Sequence, residues 1–106
     1  MVKEILTAAG IKERGSRFVK PPAETYAVWM DDIATDGPDG MPPRIFFHTV
    51  TVELYALRPN PVAEADLEAE MSVRGLHWTK QSRYWIQSEG MYQTIYEFTY
   101  IEKRRA

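Results

Sequence analysis

The chain contains no cysteine among its 106 residues, which excludes disulfide scaffolds, thiolate metal sites and thiol nucleophiles. No apolar run approaches the roughly 20 residues that span a bilayer, and Lys3 and Glu4 interrupt the start where a signal peptide would be apolar. The formal net charge is only −2, so the clustered cations that drive binding to nucleic acid are missing. We therefore expect a single cytoplasmic domain over residues 1–106, bound neither to a membrane nor directly to nucleic acid.

Catalytic signatures are missing as well. His48 and His77 are the only histidines, and no nucleophile motif such as G-x-S-x-G accompanies them. The favoured interpretation is that both are ordinary residues at strand ends, with no catalytic residue, cofactor or metal. The alternative is a small ribonuclease, in which one of these histidines would work beside Arg and Lys in an RNA groove. The slightly negative charge disfavours that alternative.

The chain does have enough apolar material for one core, with 44% hydrophobic and 26% charged residues. The fold class predicted from its patterns is α+β. Two helices lie on one face of a mainly antiparallel sheet of about four strands, in the order α-β-β-α-β-β. The predicted helices cover 2–9 and 61–74, and the predicted strands cover 25–30, 46–57, 78–86 and 91–101. Residues 11–24, which include a Pro-Pro pair, are predicted to form an irregular linker.

The second helix has the clearest local signals. Asn60 can cap its free N–H groups, and Pro61 is tolerated in the first turn. Its predicted apolar stripe contains Ala63, Leu67 and Met71, flanked by Val62, Ala69 and Val73. The opposite acidic face, which includes Glu64, Glu68 and Glu70, is expected to be solvated. An alternative is that this face pairs with basic residues of a neighbouring copy, such as Arg74, Lys80 or Arg83.

Residues 31–43 collect four aspartates, two glycines and three prolines, a composition that predicts a long loop. Its carboxylates belong to Asp31, Asp32, Asp36 and Asp39. A solvated acidic loop is the simplest interpretation. A hard-cation site and a docking loop for a basic partner are the alternatives, although the spacing does not match an EF-hand.

Two further segments are candidate contact elements. The turn at residues 87–90 carries Glu89, and the basic tail at 102–106 carries Arg104 and Arg105. Aromatic residues from Trp78 to Tyr100 are interpreted as core plus interface, with a base-stacking platform as the alternative. The complete set of candidate protein-interaction residues is Asp31, Asp32, Asp36, Asp39, Glu64, Glu68, Glu89, Arg104 and Arg105.

Two phrases of the sequence carry a family resemblance: Pro-x-x-x-Thr-Tyr-Ala-Val-Trp at 21–29 and Val-Thr-Val-Glu-Leu-Tyr-Ala at 50–56. With the predicted order of elements, they make the chain resemble the tail-completion or tail-terminator proteins of long-tailed bacteriophages and prophages. The resemblance covers nearly the whole chain, and related head–tail joining proteins share the architecture.

The resemblance implies a non-enzymatic virion protein. Such a protein forms a ring, commonly a hexamer, that caps the tail tube and docks to the head. Its partners would be tail-tube and connector proteins, its contact elements the loop at 31–43 and the turn at 87–90, and its location the virion neck. The rival from another class is a small ligand-binding or regulatory module with an aromatic pocket.

Overall fold

The structure is a computed structural model and describes residues 1–15, 25–36 and 45–103. It contains two helices, α1 (Val2–Ala8) and α2 (Pro61–Val73), and the strands β1 (Lys12–Gly15), β2 (Tyr26–Asp36), β3 (Ile45–Ala56), β4 (Trp78–Lys80), β5 (Tyr84–Ile86) and β6 (Met91–Lys103). The sheet order is β1-β2-β3-β6-β4, and β5 also pairs with β6. Among the strand pairs formed by the described residues, β1–β2 is the only parallel one. The predicted α+β class is therefore confirmed, whereas the strand number and order match only roughly.

Two strand predictions are corrected. Residues 12–15 are predicted as linker but form β1. Their charged sequence gives no sign of a strand, and pairing with residues 26–29 of β2 supplies the backbone hydrogen bonds. The predicted strand over 78–86 is divided into β4 and β5, both paired with β6. The remainder of the predicted linker, residues 16–24, lies outside the described residues.

The start of α2 and the ends of both helices carry recognisable local signals. Asn60 Oδ1 accepts a hydrogen bond from the Ala63 amide at 3.1 Å, as a capping residue does. Gly10 follows α1 with a φ of 74°, and Gly75 follows α2 with a φ of 73°. This left-handed conformation is nearly free of strain only for glycine, so the sequence ends both helices at these points.

The core lies between the two helices and one face of the sheet. The helices contribute Val2, Ile5, Leu6, Leu67 and Met71, and the strands contribute Ala27, Val50, Val52, Leu54, Tyr96 and Phe98. On β3 the buried residues Val50, Val52 and Leu54 alternate with more exposed ones, so one face of the strand packs into this core. All three predicted flanks of the α2 stripe are wrong: Val62 is 70% exposed, Val73 is 82% exposed, and Ala69 is exposed as well. The opposite face of the sheet holds a smaller cluster of Tyr26, Val28 and Met91 with Tyr55.

The predicted loop at 31–43 is wrong over its first six residues, because β2 continues to Asp36. Each residue from 31 to 36 pairs with β3, ending in the pair Asp36 and Ile45. The same segment of β3 pairs with β6, so three strands continue side by side to the row Asp36, Ile45 and Lys103. We call residues 31–36, 45–50 and 98–103 the distal ribbon. Residues 37–43 of the predicted loop lie outside the described residues.

Candidate interaction surfaces

A buried histidine cluster joins the three strands of the distal ribbon. His48 is only 5% exposed and lies on the same face of β3 as Val50. Its Nδ1 is 2.8 Å from Oδ2 of Asp31 on β2, and its Nε2 is 2.9 Å from Oε1 of Glu102 on β6. A ring nitrogen must carry a hydrogen to bond a carboxylate, so contact with both carboxylates favours the doubly protonated imidazolium.

The electrostatics of this cluster support the charged ring. Burial opposes the charge on His48, but the hydrogen bonds to Asp31 and Glu102 outweigh it and raise the pKa of His48 above its ordinary value of 6.5. Tyr100 stacks on the imidazole with ring centroids 4.2 Å apart. Burial raises the pKa of Tyr100, and the nearby carboxylates of Asp31 and Glu102 add to the effect. The ring of Tyr100 therefore covers an ion cluster while remaining neutral itself.

This geometry corrects two sequence interpretations. His48 does not lie at a strand end but in the middle of the sheet, and Asp31 is bonded within the chain instead of standing in a solvated loop. Because both nitrogens of His48 face carboxylates, the ring has no free nitrogen to exchange a proton with a substrate. The alternation of β3 already contained the signal, since His48 shares its parity with Val50 and Val52.

A second ionic network joins α2 to the end of β4 and to the segment that follows it. Glu64, predicted to be solvated, is 5% exposed; its Oε1 lies 2.8 Å from Lys80 Nζ and its Oε2 lies 2.7 Å from Arg83 Nε. Lys80 also reaches Glu68 Oε2 at 2.7 Å, and Tyr96 donates its hydroxyl hydrogen to the same oxygen at 2.7 Å. In this structure Glu64 and Glu68 therefore find their basic partners inside the chain.

The pKa shifts in this second network follow from the same contacts. Burial of Glu64 favours its neutral form, but hydrogen bonds from Arg83 and Lys80 overcome that cost and lower the pKa of Glu64 below its usual value. Burial raises the pKa of Tyr96 strongly, and its hydrogen bond to Glu68 raises it further. At neutral pH the network therefore consists of ionised partners around a neutral tyrosine.

The other predicted site residues divide into exposed and undescribed ones. Asp32 and Asp36 are exposed on the distal ribbon, and Glu89 is exposed in the turn before Gly90, whose φ is 64°. Asp39, Arg104 and Arg105 lie outside the described residues. Among residues 1–15, 25–36 and 45–103, no three His, Cys, Asp or Glu side chains are placed to hold a metal ion. In this part of the chain, no helix is long and apolar enough to cross a membrane.

The distal ribbon also exposes large apolar side chains that the sequence interpretation missed. Ile33 is 52% exposed, Phe47 is 41% exposed and Ile101 is 59% exposed. Phe47 stands between Ala34 and Ile101 in one row of the sheet, on the face away from the helices. A sequence signal for Phe47 exists, since it has the parity of Thr49 and Thr51 and so shares their face of β3. Ile33 and Ala34 fall within the loop that the composition of residues 31–43 predicts.

Comparisons with known proteins assign this chain to no family. No profile of a known protein family matches the chain, and a search of curated proteins finds no significant relative. The class of protein must therefore be proposed from the residues and the structure.

Proposed function

We propose that this chain is a non-enzymatic assembly protein of a tailed bacteriophage or prophage. It acts as a tail terminator or a related head–tail joining component. It forms a ring of identical copies, a hexamer in the common form of the family it resembles, and contacts tail-tube and connector proteins in the virion neck. The ring assembles in the bacterial cytoplasm. The phage class rests on the sequence phrases at 21–29 and 50–56.

The exposed apolar side chains of the distal ribbon are the observation that supports the assembly role. Soluble monomers usually shorten, cover or charge their sheet edges, and they seldom expose neighbouring large apolar side chains. Here Phe47 and Ile101 are adjacent and exposed on one face, and Ile33 is exposed on the other. Such side chains are suited to burial against another protein. Both ring nitrogens of His48 contact carboxylates of the same chain, which supports a structural role for this region.

The assembly role is tested by measuring particle mass across a range of protein concentrations. A ring-forming subunit gives a discrete oligomer that grows with concentration and appears as rings in negative-stain electron micrographs. Some terminators assemble only on their tube, so the same measurement is made with purified tail tubes. A chain that stays monomeric in both conditions contradicts the proposal.

The phage assignment has a separate test in the genomic neighbourhood. Genes for capsid, tail-tube and tape-measure proteins beside the gene for this chain are the expected result. A neighbourhood of metabolic or regulatory genes would contradict the virion assignment, even for a chain that forms rings. Alanine at His48 and His77 tests the ribonuclease alternative, since loss of a measurable RNA-cleaving activity would favour it.

A further inference from the structure

An open groove of about 460 Å³ lies between the end of α2 and the outer edge of β6. One bank is formed by residues 74–77, which lead from α2 into β4, and the other by residues 99–101 of β6; Met1 also lines it. Both banks belong to the described part of the chain. The volume falls within the range of about 300–1,000 Å³ that is typical of ligand sites. We call this space the α2–β6 groove.

Backbone groups of β6 face this groove. The Gln81 amide donates a hydrogen bond to the Ile95 carbonyl at 2.9 Å, so Ile95 turns its backbone groups away from β3. In an antiparallel pair the direction alternates from residue to residue, so Thr99 and Ile101 turn theirs the same way. β4 pairs only with residues 96–98 of β6. Within the described residues, Thr99 and Ile101 therefore offer backbone donors and acceptors to an incoming strand.

Apolar side chains line the same groove. Leu76 and Tyr100 are half-buried and pack against the main core, while Ile101 is 59% exposed. The two carboxylates near the ring of Tyr100 are both bonded to His48, so they do not oppose a negatively charged partner. A side chain placed between the banks would remove apolar surface from water. The groove thus combines apolar contact with backbone pairing.

The exposed charges at the groove are cationic. Arg74 and His77 both line it and are exposed. Among the ion pairs formed by residues 1–15, 25–36 and 45–103, none involves either side chain. The acid nearest to Arg74 in its effect is Glu4, whose pKa is lowered mainly by a hydrogen bond from the Met1 amino group and to a smaller extent by Arg74. The groove therefore favours a partner that carries carboxylates.

We propose that the α2–β6 groove binds an extended, acidic segment of a partner protein. The segment pairs its backbone with Thr99 and Ile101, in the manner of a strand added to a sheet edge. Its apolar side chains contact Leu76 and Tyr100, and its carboxylates lie beside Arg74. Strand pairing supplies affinity, and charge selects acidic sequences. This contact does not depend on ring formation.

Binding of synthetic peptides to the full chain tests the kind of partner. The probes are a fluorescein-labelled peptide of alternating glutamate and valine and its counterpart with lysine in place of glutamate. The acidic peptide should bind at least about tenfold more tightly, and added salt should weaken its binding because exposed charges are screened. No binding of the acidic peptide, equal binding of the two peptides, or tighter binding of a single-stranded oligonucleotide overturns the proposal.

Three variants test the location of the site. R74E should weaken binding of the acidic peptide about fivefold, and E4Q should strengthen it, because Glu4 competes for Arg74. The control R58E makes the same charge reversal at an exposed arginine that does not line the groove, and it should leave the affinity unchanged. Circular dichroism confirms that each variant is folded. An equal loss in R58E and R74E would place the peptide elsewhere.

Two methylated versions of the acidic peptide test the strand pairing. One carries N-methyl groups on its glutamate amides and the other on its valine amides, so each version loses the donors along one edge. An added strand uses only one edge against β6, so one version should lose binding while the other keeps most of it. Equal binding of both versions overturns the backbone pairing. Self-association of the natural chain that R74E abolishes, without any peptide binding, would assign the groove to a second copy instead.

Discussion

Asp31 Oδ2 lies 2.8 Å from Nδ1 of His48, although the composition around Asp31 predicts a solvent-exposed loop. The carboxylate neutralises a buried imidazolium, and this contact links β2 to β3 where the distal ribbon begins. Glu102 does the same from β6 at 2.9 Å. A segment rich in aspartate can therefore remain a strand, because one of its acids balances a charge inside the sheet.

Stability should fall as the pH rises through the titration of His48. The folded-state pKa of His48 is raised above 6.5, so its stabilisation is complete below the unfolded pKa and is lost as the pH rises through the folded one. Tm measured between about pH 6 and pH 9 should decline more steeply in the natural chain than in H48Q, which has no imidazole to titrate. Equal slopes would show that His48 is not the charged centre of the ribbon.

Removing the buried carboxylate of α2 should destabilise the fold. E64Q leaves Lys80 and Arg83 without their shared partner, and we expect a loss of about 1–3 kcal/mol in the free energy of unfolding. D66N, which also replaces a carboxylate by an amide but at an exposed position of the same helix, should cost less than about 0.5 kcal/mol. Urea unfolding of both variants gives the comparison. Equal losses would mean that the ion pairs of Glu64 contribute no net stability.

The two faces of α2 should respond very differently to truncation. Leu67 is fully buried, so L67A removes core contacts and leaves a cavity, at a cost of about 2–5 kcal/mol. Val73 is 82% exposed, and V73A should change stability by less than about 0.5 kcal/mol. Thermal or urea unfolding measures both. A large effect of V73A in a dilute monomer would restore the sequence interpretation of Val73 as a core residue.

Variants of Asn60, the cap of α2, separate the contribution of the capping bond from that of the bond to Thr25. Asn60 accepts from the Ala63 amide and donates Nδ2–H to Thr25 Oγ1 at 3.0 Å. N60A should cost about 1 kcal/mol or slightly more, whereas N60D, which keeps the capping oxygen, should cost less. Chemical denaturation compares the three proteins. If N60D is as damaging as N60A, the bond to Thr25 matters more than the cap.

The acidic residues of the candidate site could be named from the sequence, but their partners could not be predicted from it. Asp31, Glu64 and Glu68 are candidate interaction residues whose simplest interpretation is a solvated surface, yet each meets a basic or hydroxyl group within the same chain. Composition shows that charges must be balanced. It does not show whether the balancing residue belongs to this copy or another. Asp32 and Asp36 remain exposed and available to a partner.

The sequence by itself determined the features that depend on near neighbours in the chain. Asn60 begins α2, Gly10 and Gly75 follow the helices, and the alternation at 50–56 sets the buried face of β3, because capping, backbone strain and periodicity are local. Only the tertiary structure decided the length of β2 and the charge of His48. The two partners of His48 lie on other strands: Asp31 is 17 residues away along the chain and Glu102 is 54 residues away. Only folding brings such distant groups together.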